Sequence, residues 1–78
     1  MAATKAYVLV ETTVGQGPKV AAALQMMPGL ISVDRVTGPY DIILVFEAED
    51  LRTVGNLVTE HVHSIGGISR TVTCLAMT

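Results

Sequence analysis

The run Tyr40-Asp41-Ile42-Ile43-Leu44-Val45-Phe46-Glu47-Ala48 constrains this chain most. Its β-branched and aromatic residues predict a strand, and because successive side chains of a strand point to opposite faces, its middle is apolar on both sides. Such a strand must be covered twice. The whole chain is 78 residues, room for one domain, and a chain of this size buries only about 60% of the surface that its unfolded form exposes. Its own helices can cover one face of the sheet; the other asks for a cover from outside, for which a partner's sheet is the expectation. Other sources of stability are missing. Cys74 is the single cysteine, and no Cys/His cluster offers a structural metal. With 50% hydrophobic and 15% charged residues and a mean hydropathy of +0.53, the chain is expected to form a homo-oligomer.

Several function classes drop out. The apolar run Ile42–Phe46 is far short of the roughly 20 residues that span a bilayer, so no membrane segment is expected. Met1 to Lys5 lead directly into a charged strand without a long apolar stretch, which reads as a chain with no secretory leader and a cytoplasmic location. The net charge is −2, and the basic residues Lys5, Lys19, Arg35, Arg52 and Arg70 stand singly. Direct nucleic-acid binding wants a basic stripe, and is not expected.

Along the chain, residues 5–13 read as a strand ended by Gly15-Gln16-Gly17. Pro18 suits a first helical turn, and Val20, Ala23, Leu24 and Met27 recur at helical spacing until Pro28-Gly29. Residues 30–37 and 40–48 are strands joined tightly through Gly38-Pro39, as in an antiparallel hairpin. Asp50 is the expected N-cap of a second helix, with Glu47 and Glu49 adding negative charge near its start. Its apolar stripe is Leu51, Val54, Val58, Val62 and Ile65, and Gly66-Gly67 ends it. Ile68 to Met77 alternate as a last strand with Ser69, Thr71 and Thr73 against Arg70, Val72 and Cys74. The order β-α-β-β-α-β predicts a single α+β domain over 1–78. It is a ferredoxin-like fold, with a four-stranded antiparallel sheet, both helices on one face, and dimerisation through the other.

Few residues invite chemistry. His61 and His63 are two apart, about 200° around a helix, and cannot chelate one ion from one turn; a half-buried His61 beside the apolar stripe and a solvated His63 is the plainer meaning. Cys74 lacks an evident base and suits a small buried hydrophobe. Glu47, Glu49 and Asp50 are explained by helix-start electrostatics rather than a metal. Gly15-Gln16-Gly17-Pro18 lacks the Gly-Lys-Ser/Thr ending of a phosphate loop. The hairpin Thr37-Gly38-Pro39-Tyr40-Asp41 stands out, because a tight turn presents backbone N–H groups, a carboxylate and a ring together. Together with the polar row Ser69-x-Thr71, it offers partners for both charges of a zwitterion.

These segments, in order, carry a resemblance. Met27-Pro28-Gly29-Leu30-Ile31-Ser32-Val33, Val36-Thr37-Gly38-Pro39-Tyr40-Asp41-Ile42-Ile43-Leu44, Asp50-Leu51 and Gly66-Gly67-Ile68-Ser69-Arg70-Thr71-Val72-Thr73 together resemble the ligand-binding (RAM) domain of Lrp/AsnC-type feast/famine regulators, over roughly residues 5–76. The resemblance implies a non-enzymatic, cofactor-free module that dimerises through its sheet, assembles dimers into octameric or decameric rings, and binds an amino acid or similar small molecule between subunits. It implies a stand-alone form, since Met1 lies a few residues before the first strand where the family carries a helix-turn-helix. Co-assembly with full-length Lrp/AsnC-type regulators is then the link to transcription. By position, the ligand residues implied are Gly38, Pro39, Tyr40 and Asp41 from the turn and Ser69 and Thr71 from the last strand of a neighbouring subunit. Gly38 would admit the ligand to the backbone, Asp41 would orient an amino group, and the hydroxyls would hold a carboxylate or side chain. Arg70 falls on the opposite strand face from Ser69 and Thr71.

Two other readings share this strand order. A dimeric α+β-barrel enzyme of the monooxygenase-like kind needs a catalytic side chain between helices and sheet, for which His61 is the one candidate. An ACT-type regulatory domain binds amino acids at the first strand-to-helix turn, here Val14-Gly15-Gln16-Gly17, without the acidic residue that usually precedes the glycine.

Overall fold

A computed structural model of the chain describes residues 3–77. Strand β1 (Thr4–Thr12) is followed by helix α1 (Gly17–Leu24), strands β2 (Leu30–Arg35) and β3 (Ile42–Ala48), helix α2 (Leu51–Leu57) and strand β4 (Ile68–Leu75). The strands form one antiparallel sheet in the order β2-β3-β1-β4. This is the ferredoxin-like arrangement expected from the sequence.

β1 and β3 lie side by side at its centre. From these two strands Ala6, Val8, Val10, Ile42, Leu44 and Phe46 all point to the helical side and are fully buried. They meet Val20 and Leu24 of α1, Met27, and Val54, Val58 and Val62. Leu51, expected at the head of the second stripe, is exposed, as is Ala23 of the first. Ile65, the last residue of the second stripe, packs at the margin of the core as expected, and Ala21 packs there too.

Helix ends differ from their sequence pattern for local reasons. α1 closes at Leu24 rather than Met27, because the amides of Gln25, Met26 and Met27 bond three residues back (3.1–3.3 Å) and tighten the chain into a turn. α2 does the reverse. It continues as a π-helical turn, Val58–Val62, in which the His63 amide donates to the Val58 carbonyl five residues back at 3.0 Å. Apolar residues four apart overshoot an α turn by about 40° each time; the wider turn cancels that drift and keeps Val54, Val58 and Val62 on the core. His61 is exposed rather than half-buried, and the residue that touches another element is His63, also exposed.

The other sheet face carries no helix. Tyr7, Leu9, Ile43, Val45, Val72 and Cys74 share it by register, an apolar centre with Lys5 opposite Glu47 at one end and Glu11 opposite Arg70 at the other. Cys74 is therefore exposed, correcting the expectation of a buried residue: β4 pairs it with Tyr7 on the side away from the helices. No helix among the described residues is long and apolar enough to cross a membrane.

Two junctions fix how helices meet sheet. At Pro28-Gly29, the glycine has φ +74°, and a β-carbon there would collide with the Glu47 carbonyl. The same approach lets the Glu47 amide donate to the Gly29 carbonyl at 3.0 Å. At α2, the Asp50 carboxylate accepts the Thr53 amide and hydroxyl, both at 2.8 Å, and these bonds, the backbone one first, hold its pKa below the ordinary value.

Gly29→Ala is expected to cost roughly 1–3 kcal/mol from strain and the backbone collision. The thermal midpoint would fall by about 4–8 °C per kcal/mol, and an unchanged midpoint would show that this junction can relax. Because folding lowers the Asp50 pKa, its stabilising effect is complete above the ordinary carboxylate value and disappears as pH falls through the folded value. An NMR pH titration should therefore give Asp50 a midpoint below the ordinary aspartate value, and Asp50→Asn should erase this acid-range dependence while keeping the cap.

Candidate functional site

The turn between β2 and β3 is wider than a minimal hairpin. β2 stops at Arg35 and β3 begins at Ile42, instead of running to 37 and from 40, and Asp41 just before β3 is bonded both to β1 and to the residue that follows β2. Its amide donates to the Val10 carbonyl and its carbonyl accepts the Val36 amide, both at 2.9 Å. Its carboxylate accepts the Thr12 amide at 2.7 Å and the Thr12 hydroxyl at 3.1 Å. Both of these bonds end on Oδ2, so the group is aimed while Oδ1 takes no part in holding it.

Asp41 stands in the wall of an open cleft of about 820 Å³ between the end of β1, the β1–α1 turn and the end of β2. Thr12, Thr13, Val14, Gly15 and Gly17 line one side, and Arg35, Val36 and Thr37 the other. Two stretches that the sequence offered as rival amino-acid sites, the Gly38–Asp41 hairpin and the Val14–Gly17 turn, thus meet at one cleft, to which the hairpin contributes Asp41. Their union comes from sheet order: β3 is hydrogen-bonded to β1, so the entry to β3 abuts the exit from β1.

The remaining expected residues lie elsewhere within the single chain. Gly38 has φ +120°, a left-handed conformation that the turn requires, and the space where a β-carbon would stand is open. Pro39 and Tyr40 face a hollow of about 410 Å³ beside Leu9 and Ile43, on the sheet face without helices. There the Tyr40 hydroxyl accepts from Arg70 Nη2 at 3.3 Å, and the guanidinium carbon lies 5.9 Å from the ring centre. Ser69, at a bulge in β4, donates to the Glu11 carbonyl at 3.0 Å. Thr71 Oγ1 lies 3.3 Å from His63 Nε2, where His63, Ser69 and Thr71 surround a small pocket of about 270 Å³. Since β1 stands between β3 and β4, one copy does not bring Ser69 and Thr71 to Asp41.

Sequence reasoning missed Arg35 and Thr12. Strand alternation held the signal for Arg35: it shares parity with Val33, which packs on the core, so a cation at 35 points to the helical side. Thr12 carried no signal, because its partner is 29 residues away.

The family profile described as the Lrp/AsnC ligand binding domain matches residues 5–78. The chain belongs to this family. It is 33% identical over 76 residues to an uncharacterized HTH-type transcriptional regulator of Pyrococcus furiosus, covering 94% of this chain and 51% of that one. The chain therefore spans about half the length of the curated relatives it matches. The crystal structure of TTHA0845 from Thermus thermophilus is 29% identical and superposes with a TM-score of 0.91 over 96% of this chain and 94% of that one. The transcriptional regulator NMB0573 of Neisseria meningitidis, solved as a complex with L-methionine, shares the fold (TM-score 0.85) at 18% identity, over 96% of this chain and 50% of that one.

In this Lrp/AsnC domain, Asp41→Ala removes the acceptor of the Thr12 amide as well as a charge. It is expected to lower stability by about 1–3 kcal/mol, whereas Asp41→Asn keeps an acceptor oxygen and stays near wild type. Chemical denaturation of the two variants checks this. Equal stability would mean that the Thr12 bonds do not hold the turn.

Proposed function

We propose that this chain is the amino-acid-binding and oligomerising module of an Lrp/AsnC-type system, acting as a regulatory effector domain without chemistry of its own. The observation that carries the reading is the family match over residues 5–78. The cleft at Asp41 supports it with a fixed carboxylate beside turn backbone and hydroxyls, the donor and acceptor set that a small zwitterion needs. The ligand class is supported, by analogy of fold, by the L-methionine complex of the Neisseria regulator.

Assembly belongs to the same proposal. The apolar face around Tyr7, Leu9, Ile43, Val45 and Val72 has an interface's layout, with a greasy centre and charged ends, and a second copy laid on it would bury the outer side of β3. Dimers would then join so that Ser69 and Thr71 of one subunit approach the Asp41 cleft of another, and a ring of this kind would co-assemble with full-length relatives to pass ligand occupancy to DNA.

Native mass spectrometry of the purified chain, alone and with pooled amino acids, tests both parts in one spectrum. The expected outcome is a dimer or higher oligomer that gains about one amino acid per subunit. A monomer or dimer indifferent to the whole pool would overturn the binding reading, and a monomer would overturn the assembly as well.

A further inference from the structure

We infer that Arg35 is the carboxylate anchor of the Asp41 cleft, and that the pair makes the site selective for neutral α-amino acids. This inference rests on the amino-acid reading above and adds to it the residue that holds the acid group and the class of side chain admitted.

The cleft holds one charge of each sign. Among its lining residues Arg35 is the one cation and Asp41 the one anion. They sit at the ends of adjoining strands: Arg35 is the last residue of β2, paired with Ile42, and Asp41 precedes Ile42 in the chain. A free α-amino acid carries one ammonium and one carboxylate. Placed with its ammonium toward Asp41 Oδ1 and its carboxylate on the guanidinium, it leaves no charge in the cleft unmatched. An amine or a simple carboxylic acid satisfies one group and strands the other, and a lysine or glutamate brings a third charge for which the cleft has no partner.

The backbone prepares a seat for the guanidinium. Arg35 Nη2 and Nε lie 3.5 and 3.6 Å from where a β-carbon on Gly17 would stand. A β-carbon there would stand in ordinary contact with the guanidinium, so the glycine leaves room beside it. Arg35 is exposed, so it is presented to solvent and is not a strut of the core. A planar fork of donors suits a carboxylate, which a point charge would hold with less directional preference. The ligand side chain would then face Val14, Pro18 and Val36, a mixed surface without charge.

The test uses the 78-residue chain, labelled with nitrogen-15, and titrations followed by NMR. The ligands are L-alanine, L-leucine, L-methionine, L-glutamine, L-glutamate and L-lysine, plus the decarboxylated amine of the tightest neutral binder. For the wild type, at least one neutral amino acid should shift the amides of Thr12 to Gly17. It should bind at least about 10-fold tighter than its amine, than glutamate and than lysine. Arg35→Gln should lower its affinity about 10- to 100-fold while leaving the amine's affinity unchanged, so that discrimination between the two collapses. Arg35→Lys should fall between. Each variant's spectrum reports retention of the fold. Full affinity in Arg35→Gln would overturn the inference while leaving the amino-acid reading intact, as would glutamate binding tightest. Silence toward every amino acid would overturn both.

Discussion

Burial of one side of the central strand pair holds this domain together. The inward side chains of β1 and β3 are excluded from water from Ala6 to Val10 and from Ile42 to Phe46, and the helices owe their existence to that surface. α1 has 8 residues and α2 has 7, lengths at which isolated helices do not persist in water, because nucleation costs more than a few bonds return. They form as lids on the sheet. With both helices used on one face, the strands' other face carries Leu9, Ile43 and Val45 with no helix among the described residues above them.

Most of the architecture was legible because two periodicities carry it. Alternation marks the strands, while glycine and proline punctuate them at Gly15, Pro28-Gly29, Gly38-Pro39 and Gly66-Gly67. Asp50 capped its helix as expected. What escaped were features set by closure of the whole. The π turn at Val58–Val62 arises because apolar residues four apart must all reach one flat surface, a demand absent from an isolated helix. Exposed Cys74 follows from register with Tyr7, since alternation alone does not say which side of an edge strand the helices cover.

The site was legible in part. The hairpin was singled out by composition, and Asp41 does stand in a cleft, but the neighbours that define its chemistry come from afar: Thr12 by strand pairing, Gly17 by the start of α1, Arg35 by parity within β2. Pro39 and Tyr40, adjacent in sequence to Asp41, belong to the other side of the sheet. A run of five residues that crosses from one face of a sheet to the other cannot be assigned to a single pocket by its spacing. The first strand-to-helix turn and the β2–β3 hairpin, which suggest different ligand-binding families when read separately, contribute opposite walls of one cleft.

The ends of the uncovered sheet face have a kinetic consequence. Lys5 beside Glu47 and Glu11 beside Arg70 cancel locally, so this surface projects little net field into solvent. Association through it would proceed without long-range steering, at about 10⁵–10⁶ M⁻¹s⁻¹ rather than at the rates that charge complementarity allows, and would respond weakly to ionic strength. Encounter on such a face is governed by desolvation of its greasy centre. Subunits meeting there would be sorted after contact, by shape and by how long they stay, more than by attraction at a distance.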